Sequence, residues 1–171
     1  MIISVTGTPG TGKTAVAGEL AGILSYEYVD LNSLASEKGM VIGRDKQRDS
    51  KIVDEEKLSL LEVKDNSVVD GHLSQYVKCD VIVVLRTRPD LLKERLSKRD
   101  WLPRKVKENV EAEILGVCSY EAFETGKRVI EFDTSEKDAR RSAKIIKTLV
   151  LKNKPSEEID WLEEYDFMLE R

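Results

Sequence analysis

A glycine-rich segment directly after the first hydrophobic residues constrains the fold of this chain more than any other feature. Residues 7–14 read Gly-Thr-Pro-Gly-Thr-Gly-Lys-Thr, which matches the pattern G-x-x-x-x-G-K-[ST] of a phosphate-binding loop. The pattern requires a buried strand before it and a helix after it. Ile2, Ile3 and Val5 predict the strand, and apolar residues at helical spacing predict the helix, namely Val16, Leu20, Ile23 and Leu24. This context indicates a loop that holds phosphates at a helix N-terminus.

The residue types in this loop suit a nucleoside triphosphate. Glycines let successive backbone N–H groups face one anion. Lys13 reaches the β- and γ-phosphates, and the Thr14 hydroxyl is a ligand for Mg²⁺. The alternative is a glycine-rich turn that binds nothing. The candidate nucleotide contacts within the loop are Gly7, Gly10, Thr11, Gly12, Lys13 and Thr14.

Length and composition limit the function classes. A chain of 171 residues fits one domain with a single sheet-centred core, so an acceptor site must be built from insertions. The net charge of −4 gives no general case for nucleic-acid binding. Cys79 and Cys118 lie far apart without metal-binding spacing, so we expect buried thiols rather than a zinc site or a disulfide. No stretch has the roughly 18 apolar residues of a membrane helix, and we expect a soluble, intracellular monomer.

Strands and helices alternate along the sequence. Val81–Leu85 is apolar at every position, as is typical of a central parallel strand covered on both faces. The alternation predicts a three-layer α/β sandwich, in which helices cover both faces of a five-stranded parallel sheet and ligands bind at the carboxyl ends of the strands. The predicted strands are Ile2–Val5, Tyr28–Leu31, Ser67–Asp70, Val81–Leu85 and Arg128–Asp133.

Four segments have less regular patterns. Residues 41–51 are polar, charged and without period, which predicts a mobile loop. One long helix is predicted from Pro103 until Gly126, and Ser135 is the predicted cap of a helix that ends near Val150. A last helix is predicted over residues 157–171. Its acidic face is either solvated or attracts a basic partner.

Two polar residues follow the third predicted strand. Asp70 stands where phosphate-loop enzymes place a carboxylate that holds Mg²⁺ or its waters, although an Asp there is also a common turn former. His72 is the only histidine and lies at the strand end, where a γ-phosphate would be. It either positions water or handles a proton, or it is an ordinary surface or packing residue.

Basic residues are concentrated between residues 86 and 107, with nine of them against three acidic ones. We expect the lysines to be solvated. Arg95 and Arg99 are four apart on one predicted helix face, which favours a small lid that closes over the phosphates and stabilises the charge of phosphoryl transfer. The charged loop would then be the acceptor-side insertion, or else a plain surface loop; it carries Arg44, Lys46, Arg48 and Lys51.

Nearly the whole chain resembles the adenylate kinase isoenzyme 6 family, which includes eukaryotic nuclear proteins and archaeal relatives. The resemblance rests on the phosphate loop, on Asp70-Gly71-His72, and on three later segments in the same order, which are Val84–Thr87, Glu94–Arg99 and Glu108–Ile114. It implies a P-loop NTPase fold and transfer of the γ-phosphoryl of ATP, with Mg²⁺, to AMP or a related nucleoside monophosphate (NMP). It also implies weak ATPase activity and a role in small-ribosomal-subunit maturation through a ribosomal protein of that subunit. The implied location is cytoplasmic for an archaeal protein and nuclear for a eukaryotic one.

The resemblance also implies roles for individual residues. The family's lid contact maps to Arg99, its Mg-linked carboxylate to Asp70 and its catalytic histidine to His72, while its ATP site maps to Gly10, Gly12, Lys13, Thr14 and Ala15. An NMP-binding insertion is implied at about residues 30–53 and a lid at about 98–108. The chain departs from the family at Ser36, where many members carry an arginine that contacts the AMP phosphate. The candidates to replace that arginine are Lys38, Arg44 and Arg48.

Three functions therefore stay open. The first is an NMP kinase that uses MgATP. The second is an assembly factor whose ATP cycle switches its grip on a ribosomal protein, with vestigial kinase activity. The third is a kinase of a small metabolite on the same fold, such as a shikimate or dephospho-coenzyme A kinase, because fold alone does not fix function.

Overall fold

The computed structural model describes residues 1–45, 50–154, 156 and 158–169, with residues 50 and 51 described by their backbone alone. Five parallel strands form the main sheet, as the sequence predicts. They are β1 (Ile2–Gly7), β2 (Glu27–Asp30), β5 (Ser67–Asp70), β6 (Val81–Arg86) and β7 (Arg128–Asp133), and their spatial order is β2-β5-β1-β6-β7. Two further strands, β3 (Val41–Asp45) and β4 (Ser50–Val53), form a separate antiparallel hairpin.

Helices cover both faces of the main sheet, which confirms the predicted three-layer fold. In chain order they are α1 (Lys13–Leu24), α2 (Leu31–Glu37), α3 (Glu55–Ser59), α4 (Pro89–Ser97), α5 (Pro103–Ile114), α6 (Val117–Glu124), α7 (Ala139–Leu151) and α8 (Leu162–Tyr165). Short 3₁₀ segments lie at Ser74–Tyr76 and Asp166–Met168. No helix in the described part of the chain is long and apolar enough to cross a membrane.

Strand β6 shows why the sheet is covered on both sides. Val81, Val83 and Leu85 pack in one core cluster with α1 and α7. Ile82 and Val84, which point to the opposite face, pack in a second cluster with α6. Since neighbouring residues of a strand face opposite sides, a strand that is apolar throughout requires helices on both faces. The carboxyl ends of β1, β5 and β6 therefore meet at one edge of a rigid core.

The segment predicted as a mobile loop forms the β3–β4 hairpin instead, so that prediction is wrong. Arg44 pairs with Lys51 and Asp45 with Ser50, and the register shifts near Gly43. β-branched residues, which favour a strand, stand at the start of the segment (Val41 and Ile42) and directly after it (Ile52 and Val53). Lys46 and Arg48 lie outside the described residues.

The single long helix predicted after Pro103 is two helices. Gly116, between α5 and α6, has φ of +63°, a left-handed conformation that glycine adopts without strain and that ends a helix. The guanidinium of Arg86 approaches within 3.6 Å of where a Cβ of Gly116 would stand. The break therefore gives Arg86 room beside the helix junction, a role that helical spacing in the sequence does not show.

Two further helix predictions are corrected. Asp138, and not Ser135, caps α7, because its carboxylate accepts a hydrogen bond from Arg141 N at 2.7 Å. The C-terminal segment is not one long helix: within its described residues only α8 and one 3₁₀ turn are helical. Its apolar residues follow the surface of α4 and α5, where Tyr165, Met168 and Leu169 pack, so contacts with the domain override the helical tendency.

Candidate active site

The phosphate loop has the backbone shape that its glycines allow. Gly7, Gly10 and Gly12 all have positive φ, of 139°, 98° and 90°. A Cβ on Gly7 would lie 2.4 Å from the carbonyl oxygen of Leu85, so no other residue fits between β1 and β6 at that point. Helix α1 begins at Lys13, directly after the last glycine. The loop therefore presents backbone N–H groups at the N-terminus of a helix, which is the arrangement that binds phosphate.

Lys13 reaches across this loop. Its ammonium group donates hydrogen bonds to the carbonyl oxygens of Gly7 at 2.8 Å and Thr8 at 3.1 Å. Burial lowers the pKa of Lys13 from its usual value, the charge of Asp70 opposes that shift, and the charge of Arg99 adds to it. These three predicted site residues are thus close enough to act on one another electrostatically.

A buried ion-pair network supports the phosphate loop from the interior of the protein. The Thr8 hydroxyl donates to Glu113 Oε2 at 2.5 Å, and Glu113 Oε1 accepts from Arg86 Nε at 2.8 Å and from Thr87 N at 3.1 Å. Arg86 also donates to Glu131 Oε1 at 2.8 Å. Burial alone would lower the pKa of Arg86, but the two carboxylates outweigh it and raise that pKa. Arg86 is 2% exposed, so it belongs to the core and not to a solvated basic surface.

The C-terminal segment completes this network. Arg86 donates to the carbonyl oxygen of Ile159 at 3.0 Å, and Ile159 N donates to Glu131 Oε2 at 3.3 Å. The backbone of one residue thus contacts both the cation and one of its carboxylates. We name the set Thr8, Glu113, Arg86, Glu131 and Ile159 the loop-support network, because it runs from the phosphate loop through the buried side chains to the partly buried C-terminal segment.

Asp70 lies at the end of β5 and is 6% exposed. The Tyr28 hydroxyl, from the neighbouring strand β2, donates to Asp70 Oδ2 at 2.9 Å. The Thr14 side chain is near enough to influence the pKa of this phenol. Burial and the bond to Asp70 raise the pKa of Tyr28 to about 12, so its hydroxyl remains protonated and acts as a donor. One phenol therefore bonds to Asp70 and lies near Thr14, the two residues that the sequence predicts to hold Mg²⁺.

The donor set fits Mg²⁺ that arrives with a nucleotide. Thr14 and Asp70 supply one hydroxyl and one carboxylate, both hard oxygen donors. No cluster of three or more His, Cys, Asp or Glu side chains suited to a metal is found within the described residues. Mg²⁺ commonly binds through one or two protein oxygens while phosphates and waters complete its octahedron. These residues therefore suit a metal carried by MgATP rather than a permanent metal centre.

His72 lies against the phosphate loop. Its Nδ1 is 3.3 Å from the carbonyl oxygen of Gly7, which can only accept, so this contact assigns the proton to Nδ1 and leaves Nε2 as an acceptor. Burial of the ring lowers the pKa of His72, and the charge of Lys13 lowers it further, although the outer edge of the residue is exposed. The neutral imidazole is therefore favoured. The thiol of Cys118, 3.8 Å from Nδ1, has its pKa raised by burial to about 11 and is uncharged.

The two arginines of the predicted lid occupy different environments. Arg95, on α4, donates to the carbonyl oxygen of Gly10 at 3.3 Å, which ties that helix to the phosphate loop. Arg99 lies beyond the end of α4, exposed, with its guanidinium 5.0 Å from the centre of the Trp101 ring. Lys105 Nζ lies 4.4 Å from the same ring. The two arginines therefore do not share one helix face as predicted, and Arg99 belongs to the turn that leads into α5.

A cavity of about 540 Å³ lies beside His72 and under the first part of α5. Pro9 of the phosphate loop, Trp101 and Asn109 contribute to its walls. A second cavity, of about 720 Å³, lies between α4, α5 and the 3₁₀ turn near residue 167, away from the phosphate loop. The first cavity therefore has the position expected of space for a substrate next to a γ-phosphate.

The predicted acceptor side is less complete. Ser36 is exposed on α2, and its hydroxyl donates to the carbonyl oxygen of Asn32 at 2.7 Å. Lys38 and Arg44 are also exposed, on the end of α2 and on β3, and Arg48 lies outside the described residues. Residues 30–53 therefore contain α2 and a hairpin, without a buried cation at the position where an arginine is expected.

Sequence reasoning missed Tyr28, Glu113 and Arg86 as parts of the site. The sequence patterns place Tyr28 in a strand, and they place Arg86 among nine basic residues and, like Glu113, in a segment that carries the family resemblance, without a role at the site. A signal was present for Arg86, because an arginine that ends an otherwise apolar central strand requires a buried counter-charge.

Comparison with known proteins places the chain in a family. The model of the AAA domain family matches residues 3–116. A protein named "Putative adenylate kinase" from Thermococcus gammatolerans is 45% identical over 172 residues, covering 97% of this chain and 96% of that protein. The chain belongs to this archaeal adenylate kinase family. A family member of the same name from Methanococcus maripaludis is 38% identical over 181 residues, covering 99% of this chain and all of that protein. The family predicted from the sequence motifs is confirmed.

Solved structures support the family's fold. Shikimate kinase from Acinetobacter baumannii, solved in complex with shikimate, superposes with a TM-score of 0.61 over 90% of this chain and 94% of that one, at 19% identity. At this identity the likeness concerns the fold alone. This member of the adenylate kinase family thus shares its fold with a kinase that was solved in complex with shikimate.

Proposed function

We propose that the chain is a nucleoside monophosphate kinase that transfers the γ-phosphoryl group of MgATP to AMP or a related NMP and also hydrolyses ATP slowly. The observation that carries the proposal is the convergence of Lys13, Asp70 and His72 at one edge of the sheet, on a phosphate loop supported by buried ion pairs. The names of the archaeal relatives support an adenylate acceptor.

In this proposal the residues work by position and charge. Lys13 and the N-terminus of α1 hold the β- and γ-phosphates, and Arg99 leaves the Trp101 ring to neutralise charge that develops on the transferred group. Thr14 and Asp70 would hold Mg²⁺, which when bound neutralises phosphate charge. Arg95 keeps α4 against the loop through Gly10. The sheet edge thus needs no protein nucleophile for in-line transfer.

His72 is proposed to orient the attacking oxygen. With Nδ1 directed to the carbonyl of Gly7, Nε2 has a lone pair for a hydroxyl or water hydrogen. In the ATPase reaction the oxygen attacking the γ-phosphorus would be that of water, whose hydrogen Nε2 can accept. The phosphate of an acceptor NMP is mostly without a hydrogen at pH 7, so the ring would influence hydrolysis more than transfer to an NMP.

The kinase assignment is tested by mixing the protein with MgATP and each NMP in turn and measuring nucleoside diphosphate formation. We expect AMP to give ADP at a rate well above that of ATP hydrolysis without AMP. Shikimate and dephospho-coenzyme A, measured in the same assay, test the metabolite-kinase alternative. ADP formation that does not increase with any NMP would refute the kinase function.

Replacing His72 by alanine is expected to lower ATP hydrolysis by about 10²-fold, the usual contribution of one positioned acid–base group. ATP affinity should change by less than about threefold, because the ring contacts the loop backbone at one carbonyl only. Steady-state hydrolysis and calorimetric binding measure the two effects. Ser33→Ala, on the exposed surface of α2, is the matched control. Unchanged ATP hydrolysis in the His72 variant would show that this residue only packs against its neighbours.

A role in ribosome assembly, with ATP turnover as a switch, is the second candidate function. Ser36 favours it, because its hydroxyl bonds within its own helix and supplies no cation to an acceptor phosphate. The proposed partner is a small-subunit ribosomal protein, whose basic surface would meet the acidic residues near the C-terminus, such as Glu163 and Glu164. Binding of the purified partner should weaken with salt. Absence of binding at low salt, with and without ATP, would refute this function.

A further inference from the structure

Tyr28 contacts Asp70 of the candidate active site but has no role in the proposed catalysis. It lies on β2, at the edge of the main sheet, and pairs in register with Val68 of β5, two residues before Asp70. Its side chain is 39% exposed, yet the hydroxyl bonds to the nearly buried carboxylate of Asp70 at 2.9 Å and lies near the Thr14 side chain. A tyrosine of the edge strand β2 therefore reaches across to the end of β5, near the start of α1.

The bond from Tyr28 restricts the carboxylate of Asp70. An O–H donor to a charged oxygen forms one of the stronger hydrogen bonds in proteins, and here it engages Oδ2. Asp30 pairs with Asp70 in the β2–β5 register but does not compete with it for the hydrogen bond from Tyr28. Its carboxylate instead caps α2 by accepting from Asn32 N at 2.9 Å and Ser33 N at 3.3 Å. Asp70 is left with Oδ1 as the oxygen that Tyr28 does not engage.

A carboxylate that offers one oxygen discriminates between divalent cations. Ca²⁺ takes six to eight oxygen ligands and readily accepts both oxygens of one carboxylate, whereas Mg²⁺ requires an octahedron and keeps several waters. A restrained, single-oxygen carboxylate beside one hydroxyl suits Mg²⁺ and leaves Ca²⁺ under-coordinated.

We propose that Tyr28 is a positioning residue that restricts Asp70 to single-oxygen metal binding and so makes the nucleotide site selective for Mg²⁺ over Ca²⁺. The proposal rests on the proposed function only in that the site binds a metal–nucleotide complex. It assigns a role in metal choice to a residue of β2 that lies outside the phosphate loop.

The test compares wild type with Tyr28→Phe, which removes only the hydroxyl. Calorimetry would measure the affinity for a non-hydrolysable ATP analogue in EDTA, in Mg²⁺ and in Ca²⁺. In wild type we expect Mg²⁺ to tighten binding more than Ca²⁺ does. In Tyr28→Phe the gain from Mg²⁺ should fall about tenfold, the value of one hydrogen bond to a charged group, and the Mg²⁺-to-Ca²⁺ ratio should approach one. Affinity in EDTA should stay the same.

Tyr26→Phe is the matched control, because it removes the same atom from a half-buried tyrosine that packs against the core on the α1 side of the sheet. It should retain the wild-type ratio of affinities. A wild-type ratio in Tyr28→Phe, or a wild-type chain that binds the analogue equally well with either cation, would overturn the proposal. A wild-type chain that binds the analogue but forms no ADP from AMP would refute the proposed kinase function alone, since the metal comparison measures binding.

Discussion

Lys13→Ala should abolish both ADP formation from AMP and ATP hydrolysis, with a loss of at least about 10²–10³-fold, as is typical when one donor to developing charge is removed. The ammonium group already points into the loop, where the carbonyl oxygens of Gly7 and Thr8 hold it. Phosphate oxygens would replace those two acceptors. The variant therefore loses the cation at the centre of the site.

The fold should tolerate this change. Burial lowers the pKa of Lys13, which means that the folded state gains nothing from desolvating this charge, and alanine should leave the melting temperature unchanged or slightly raised. Calorimetric nucleotide binding, turnover and thermal melting measure the three effects. Lys144→Ala, on the exposed side of α7, is the control and should match wild type in all of them. Turnover within tenfold of wild type in Lys13→Ala would contradict the role assigned to the loop.

Glu113→Ala should have the largest effect on stability. The carboxylate is 1% exposed and accepts from Thr8, Arg86 and Thr87. Removing one partner of a buried ion pair costs about 3–5 kcal/mol. Here Arg86 keeps Glu131 as a buried counter-charge, while the Thr8 hydroxyl and Thr87 N lose their acceptor, so we expect a loss toward the lower end of that range. For a chain of this size that loss lowers the melting temperature by roughly 10 °C or more. At temperatures below the new melting point, where the variant is folded, nucleotide affinity should also fall, because the Thr8 hydroxyl loses its hydrogen bond to Glu113.

Two controls separate this effect from general damage to α5. Glu111→Ala removes an exposed-side carboxylate whose contact with Lys107 is 3.7 Å long, and it should change the free energy of unfolding by less than about 1 kcal/mol. The double variant Arg86→Met, Glu113→Leu should lose less than the sum of the single losses, because Glu113 is then no longer left as a carboxylate without its cation, and only Glu131 remains as one. Additive losses would show that the two side chains stabilise the fold independently.

Local sequence patterns predicted the parts of the site that are themselves local. The loop, strand β1 and helix α1 follow from one continuous segment, and the apolar run of β6 predicts a central strand. The strand end at Asp70 and His72 was placed correctly beside the loop because parallel strands bring their carboxyl ends to one edge. The roles of both residues in catalysis stay predictions.

The remaining parts of the site depend on distant pairing. Tyr28 contacts Asp70 only because β2 lies beside β5 in the sheet. The residue pattern of a single strand does not predict which strand lies beside it. Glu113 meets Arg86 because α5 closes over the end of β6. Gly116, like Arg86, is a local signal that the sequence analysis passed over, since a glycine within a helical pattern can end a helix by adopting positive φ.

The hydrogen bonds of Ile159 also set an order of events during synthesis. The phosphate loop is synthesised before every other part of the loop-support network, whereas Ile159 is synthesised after every strand of the main sheet. A nascent chain that stops short of residue 159 has all five strands, but Arg86 and Glu131 then lack the backbone contacts of Ile159. The loop-support network is therefore completed only after the strands of the sheet have been made, and a truncation before residue 159 would keep the sheet while removing one member of that network.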